Sequence, residues 1–298
     1  MKIVKILGGL GNQMFQYALY LALKKHFHDE KIMIDTSCFI GYPLHNGFEL
    51  DKIFSLNTPV ATWWDILKVG YPYPNYRCWQ IGKYIMPNRK TMCVESKDFT
   101  YDNSVLTQAG DRYFDGYWQH EEYFCDVRSV ILKKFAFPPT MDERNRALIE
   151  KLSHTESVSL HIRRGDYVNH HLFRGICDLD YYKRAVEYME KQVTPHVYCI
   201  FSNDIEWCET HLRDLLPNKV IIYVDWNKGA QSFVDMQLMS LCSHNIIANS
   251  SFSWWGAWLN CNPYKVVIVP QKWLNIQIED PIPNSWIRIV SSQKLAHN

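Results

Sequence analysis

Charge of neither sign prevails in this 298-residue chain: Lys plus Arg number 32 and Asp plus Glu 31, for a formal charge of +1. No basic run exceeds two residues, as in Lys24-Lys25 or Arg163-Arg164. Nucleic-acid binding through counterion release needs a basic stripe, so that partner class is excluded. Also missing are CxxC, HExxH and any zinc-ribbon spacing; of nine cysteines, the nearest two, Cys199 and Cys208, stand nine positions apart. Scattered thiols of this kind read as reduced cysteines of a cytoplasmic protein. Long apolar runs are absent as well. Residues 6–23 carry no charge but hold Gly8, Gly9, Gly11, Asn12, Gln13 and Gln16, and residues 236–264 are charge-free but dense in Ser, Asn and Cys. Spanning a bilayer takes about 20 predominantly apolar residues, so no transmembrane segment is expected, while association with a membrane surface stays open.

What is present is a globular balance. Apolar residues make up 47% of the chain and charged residues 21%, which excludes a disordered or fibrous protein. The length suits two domains of about 150 residues each. KIVKIL (2–7) reads as a strand, GGLGN (8–12) as a turn, and Met14, Phe15, Ala18, Leu19, Leu21 and Ala22 recur near the helical period. KIMID (31–35) is a second strand. Residues 43–110, rich in Tyr, Trp and Pro, show no clear element. Residues 120–152 read as two helices broken at Pro138-Pro139. From 157 onward the pattern is regular, with strands predicted at 158–162, 196–202, 219–224, 245–249 and 265–270. Helices at 178–193, 204–216, 232–242 and 252–260 alternate with them. Short apolar strands alternating with helices mean a parallel sheet covered on both faces. The expected class is α/β with two Rossmann-like domains, 1–153 and 154–298. Ligand sites in such sheets lie at the carboxyl ends of the strands.

Chemistry-bearing residues gather at those ends. HIRRGDY (161–167) follows the first strand of the second half. Residues two apart on a strand share a face, so His161 and Arg163 point into one crevice and Arg164 points elsewhere. A guanidinium grips phosphate through two parallel charge-assisted hydrogen bonds. Asp166 either holds that guanidinium or accepts a proton, and a plain Arg–Asp pair ending the strand is the structural alternative. FSND (201–204) ends the next strand; Ser202 and Asp204 suit a helix cap, which needs one of them and leaves the other for a ligand. In ANSSFSWWGAW (248–258), Asn249, Ser250, Ser251 and Ser253 surround a helix start, where backbone N–H groups favour an anion. Trp254, Trp255 and Trp258 stand at helical spacing, and at least two belong to the core. Asp235 lies among apolar neighbours, where a carboxylate is costly unless paired; a guanine edge or a buried arginine would pair it.

In the first half, Gly9 and Gly11 match two glycines of GxGxxG, but the third position is Met14, and Asp35 stands where a ribose-binding acid would. DGYWQHEEYF (115–124) offers Tyr117, Trp118, Gln119 and Glu121 to a saccharide, or else begins an amphipathic helix. Asp178-Leu179-Asp180 has the form of a metal-binding acidic pair but also suits a helix start.

Taken together, GGLGNQMFQYA, HIRRGDY, FSNDIEWC and NSSFSWWGAW, in that order, resemble the α-1,2-fucosyltransferase family, glycosyltransferase family 11. The resemblance implies a GT-B-like fold whose two domains face each other across a cleft, residues 1–153 on the acceptor side and 154–298 binding the donor. It implies GDP-β-L-fucose as donor and no cofactor or metal. The transfer would proceed with inversion onto the 2-hydroxyl of a terminal galactose, as in lactose or N-acetyllactosamine. By position, Arg163 would hold the β-phosphate, and His161, Asp235, Ser250, Ser251, Phe252 and Ser253 would line the nucleotide site. Gly9, Asn12, Gln13, Arg164, Ser202, Asp204 and Asn249 are expected beside them, with Tyr117, Trp118 and Gln119 toward the acceptor. Asp166, Asp115, Glu121 and His171 are candidates for the general base. The chain starts at its first strand, and the resemblance is to soluble bacterial members. Two other readings compete: a dinucleotide-dependent oxidoreductase or epimerase built on Gly9, Gly11 and Asp35, and a non-catalytic sugar-binding protein using the aromatic excess.

Overall fold

A computed structural model describes residues 1–96 and 99–291; the end of the expected second domain, 292–298, lies outside the described residues. The chain forms two compact units, Met1–Pro138 with Ile278–Pro281, and Pro139–Gln277 with 282–291. The division falls at Pro138-Pro139 rather than at 153. Leu148 and Leu152 of the helix between those points belong to a core cluster with Val197, Cys199, Val234 and Leu238, so that helix is tied to the second unit.

The first unit is built on a parallel sheet of β1 (Lys2–Lys5), β2 (Ile32–Asp35), β3 (Met92–Val94) and β4 (Arg112–Asp115), in the order β2-β1-β4-β3. Helix α1 (Leu10–His26) follows β1 directly and is buried from Met14 to Leu23. The predicted gap at 43–110 holds α2 (Leu50–Phe54), α3 (Trp63–Val69), α4 (Tyr76–Ile85) and β3. The helix expected from 120 begins as short 3-10 turns at Glu121–Tyr123 and Cys125–Val127. It becomes α-helical only in α5 (Arg128–Lys134), and α6 (Glu143–Ser153) follows in the second unit.

The second unit carries six parallel strands, β5 (Ser157–Ile162), β6 (Val197–Ser202), β7 (Val220–Val224), β8 (His244–Ile246), β9 (Val267–Pro270) and β10 (Ile287–Ile289), in the order β10-β9-β8-β5-β6-β7. Helices α7 (Leu179–Gln192), α8 (Ile205–Leu212), α9 (Phe233–Leu241) and α10 (Ser251–Leu259) connect them. Every residue of β5 is buried, as a strand covered on both faces requires. All three tryptophans of α10 are in the core. β10 extends the sheet beyond β9, where the sequence pattern had ended. The chain runs from β5 through β6 and β7 to one side, then returns to place β8 on the other side of β5. The order therefore reverses between β5 and β8, and such a switch point opens a crevice beyond the strands' carboxyl ends. In the first sheet the same reversal falls between β1 and β4. Among the described residues no helix is long and apolar enough to cross a membrane, and the nine cysteines are free thiols.

Candidate active site

HIRRGDY starts in the last two residues of β5 and NSSFSW follows β8, so the two strongest motifs meet at the second unit's switch point. Two adjacent tyrosines of α7 fix the strand ends: Tyr182 Oη donates to the His161 carbonyl at 3.2 Å, and Tyr181 Oη to the Ile247 carbonyl at 2.6 Å. Burial keeps both phenols protonated by raising their pKa well above the ordinary value. His161 is itself buried, its ring 6.2 Å from that of Phe252. Burial, with the neighbouring Arg163 charge added, lowers the imidazole to about 3, so it is neutral at physiological pH. Its Nδ1 has no hydrogen-bond partner, a costly state for a buried polar atom.

Arg163 is partly exposed and bonds Asp166 through Nη2 at 2.8 Å, with its guanidinium carbon 5.4 Å from the Tyr167 ring centre. Asp166 therefore orients Arg163, one of its two expected roles. Tyr167 closes the cluster: its hydroxyl donates to the Asn249 carbonyl at 3.3 Å, and burial pushes its pKa up to about 12. Ser250 caps α10, accepting the Phe252 N–H at 3.3 Å. A side chain at Gly165 would displace the Asn203 amide from its place beside this turn. The site thus assembles His161, Arg163, Tyr167, Ser250 and Phe252, with Ser251 half-buried as the first residue of α10.

Other expected donor residues have structural work instead. Arg164 bonds Asp204 through Nε at 3.0 Å, its guanidinium carbon 4.1 Å from the Trp207 ring centre. Asp204 also accepts the Trp207 N–H, and its own N–H donates to Ser202; the cap uses both residues, not one. The Asn249 amide is spent on the Trp273 carbonyl and the Cys177 thiol, and Ser253 donates to the carbonyls of Ala248 and Ser250. Asp235 is paired neither by an arginine nor left alone. Asn227 donates to it at 2.8 Å and is locked in turn to Asn145. Burial nevertheless raises the Asp235 carboxyl to about 7 against that hydrogen bond.

At the first unit's switch point the polar groups are engaged. Gly8 has φ +97°, a conformation suited to glycine. The Gln13 amide donates to the carbonyls of Gly8 and Gly47 and accepts the Glu49 N–H. Asn12 accepts from Gln119 at 2.7 Å, and the space beside Gly9 is taken by the His45 ring. Asp35 is buried, accepting the Ser37 N–H through one oxygen and the Tyr113 hydroxyl through the other, so both oxygens already serve the protein. Asp115 pairs with the buried Lys5. Trp118, expected at the acceptor, is buried against Phe114 and Tyr123 with φ +56°, while Tyr117 is exposed. Glu95, which the motifs did not single out, accepts the N–H groups of both. Glu121 lies half-buried in its 3-10 turn, and His171 is exposed with its ring stacked on His170. The acidic pair resolves as a helix start: Asp178 caps α7 and Asp180 pairs with Arg184.

Residues 89–289 match the family model for Glycosyl transferase family 11. An Alpha-1,2-colitosyltransferase of Escherichia coli is 33% identical over 96% of this chain and 98% of its own. A mouse Galactoside alpha-(1,2)-fucosyltransferase 2 is 24% identical over 86% of this chain and 67% of its own. Among solved structures, the fucosyltransferase NodZ from Bradyrhizobium aligns over 86% of this chain and 91% of its own at a TM-score of 0.50 and 16% identity. That last likeness concerns the fold, which is of the GT-B-like α/β class.

Proposed function

From the premise that the chain belongs to glycosyltransferase family 11, we propose that it transfers L-fucose from GDP-β-L-fucose, with inversion, to the 2-hydroxyl of a terminal galactose. The observation that carries this reading is the β5–β8 crevice, where a partly exposed Arg163 stands beside the unmatched Nδ1 of His161 and the start of α10. The shared α-1,2 designation of the bacterial and mouse relatives supports the linkage.

As GDP departs, negative charge gathers on its β-phosphate while the sugar becomes cationic. Arg163 and the α10 N-terminus supply the compensating positive potential in place of a metal ion. Asp166 and the Tyr167 ring hold the guanidinium so that little reorganisation accompanies bond breaking. Neutral His161 contributes a hydrogen bond rather than a charge, and Asp235 accepts from the guanine edge. The reaction runs in the cytoplasm on a galactose-terminated acceptor such as lactose or N-acetyllactosamine.

The test is GDP release from GDP-fucose with and without lactose, in chelator, with the product linkage read by NMR. Acceptor-dependent release and an α-1,2 linkage are expected. Release that ignores lactose, a need for metal, or a thermal shift with NAD but not GDP sinks the proposal. The colitosyltransferase relative favours a second reading in which the donor is GDP-colitose; comparing kcat/KM for the two donors decides between them.

A further inference from the structure

We propose that helices α3 and α4 form a docking face for an anionic membrane surface, an inference independent of the donor and acceptor chemistry. On α3, Ile66 and Val69 face the core while Trp63, Trp64 and Leu67 are exposed. On α4 the buried residue is Gly82 alone; Ile81 is 61% exposed, Tyr84 82% and Ile85 70%. The segment that follows α4 is tied to the carboxyl end of α3. Arg89, just past α4, donates to the carbonyls of Leu67 and Gly70 at 2.7 Å each, and Tyr71 donates to the Pro87 carbonyl at 3.0 Å. The same stretch is basic: residues 60–90 hold Lys68, Arg77, Lys83, Arg89 and Lys90 against Asp65, five minus one or +4, in a chain whose total is +1.

Large apolar side chains left exposed on these two neighbouring helices mark an interaction surface, and the charge selects the occupant. A second copy meeting this face through a two-fold axis would set one +4 patch against another. An anionic bilayer matches both features. Trp and Tyr settle at the headgroup level, aliphatic tips reach below it, and lysines and arginines are drawn to the acidic leaflet.

The full chain is sedimented with vesicles of phosphatidylcholine alone or mixed with phosphatidylglycerol. Binding is expected to the mixed vesicles, weakening with salt and by about fivefold for each of Lys68→Ala and Lys83→Ala. The double variant Trp64→Asp, Ile85→Asp should lose it while keeping its melting temperature and its GDP release with soluble lactose. Hydrogen exchange of the unmodified protein supplies a readout that needs no variant, with vesicle-induced protection expected across residues 63–86. No binding to phosphatidylglycerol vesicles at low salt, protection elsewhere, or a concentration-dependent dimer that the double variant dissolves would each overturn the proposal.

Discussion

Lys5, Asp35 and Asp115 lie side by side at the carboxyl ends of β1, β2 and β4, beside a switch point, just as His161 and Arg163 lie beside the switch point of the second sheet. The first set is committed to the protein: Lys5 to Asp115, Asp35 to Ser37 and Tyr113, and Gln13 behind them to three backbone groups. In the second set His161 keeps a buried nitrogen unmatched, and Arg163 has one exposed carboxylate for a partner. Position at a sheet edge therefore does not make a site. A site is where the edge leaves polar capacity unspent, because an engaged buried group gives a ligand nothing that it does not first take from the protein.

The largest expected effect tests that contrast directly. Arg163→Ala should lower GDP-release turnover by about a hundredfold or more, roughly 2.7 kcal/mol of transition-state stabilisation, with an unchanged melting temperature. Near-normal turnover removes Arg163 from the site. Gln13→Ala should do the reverse. It strands the Gly8 and Gly47 carbonyls and the Glu49 N–H, costing about 2 kcal/mol of stability, while KM for GDP-fucose stays within about twofold of the parent. A raised KM in a variant whose melting temperature is unchanged would move the donor contact to the glycine turn.

The same contrast shows what the sequence reveals. Strands β5, β6 and β9 were legible because a strand buried on both faces is a run of apolar residues, and the helices of this unit carry caps such as Asp178 and Asp204. β10 is three residues, Ile287-Arg288-Ile289, with no such run. Helix α3 escaped because its outward residues Trp63, Trp64 and Leu67 are as apolar as its inward Ile66 and Val69, erasing the period that marks an amphipathic helix, and α4 buries only Gly82. At the site, residue type and strand position brought out His161, Arg163 and Ser250. Whether a polar group was free depended on partners far away in sequence: Gln13 with Glu49, Lys5 with Asp115, Asp35 with Tyr113. Tyr167, Tyr181 and Tyr182 were missed for a related reason. A tyrosine in an apolar pattern looks like core, and only the fold shows where its hydroxyl reaches.

Asp235 sharpens the comparison, being half-buried and only partly satisfied by Asn227. Burial raises its folded-state pKa to about 7, so the stability tied to its neutral form is present below the ordinary carboxylate range and lost as pH rises through 7. Asp235→Asn should therefore melt higher than the parent at about pH 8 and gain nothing in acid. If the carboxylate accepts from guanine, GDP affinity should rise up to about tenfold per pH unit below 7 and level off above it. A flat calorimetric profile would detach Asp235 from the nucleotide while leaving the stability prediction standing.

The smallest effect is expected at Tyr167, which joins the two motifs through one hydroxyl and one ring face. Tyr167→Phe removes the donor to the Asn249 carbonyl but keeps the ring against Arg163. The lost hydrogen bond is worth about 1 kcal/mol, so kcat/KM should fall about fivefold. Because the ring still steadies the guanidinium, the loss should appear mainly in KM, through a loosened start of α10. A drop as large as that of Arg163→Ala, carried in kcat, would place the hydroxyl in the chemistry and make the crevice a two-donor site for the departing phosphate.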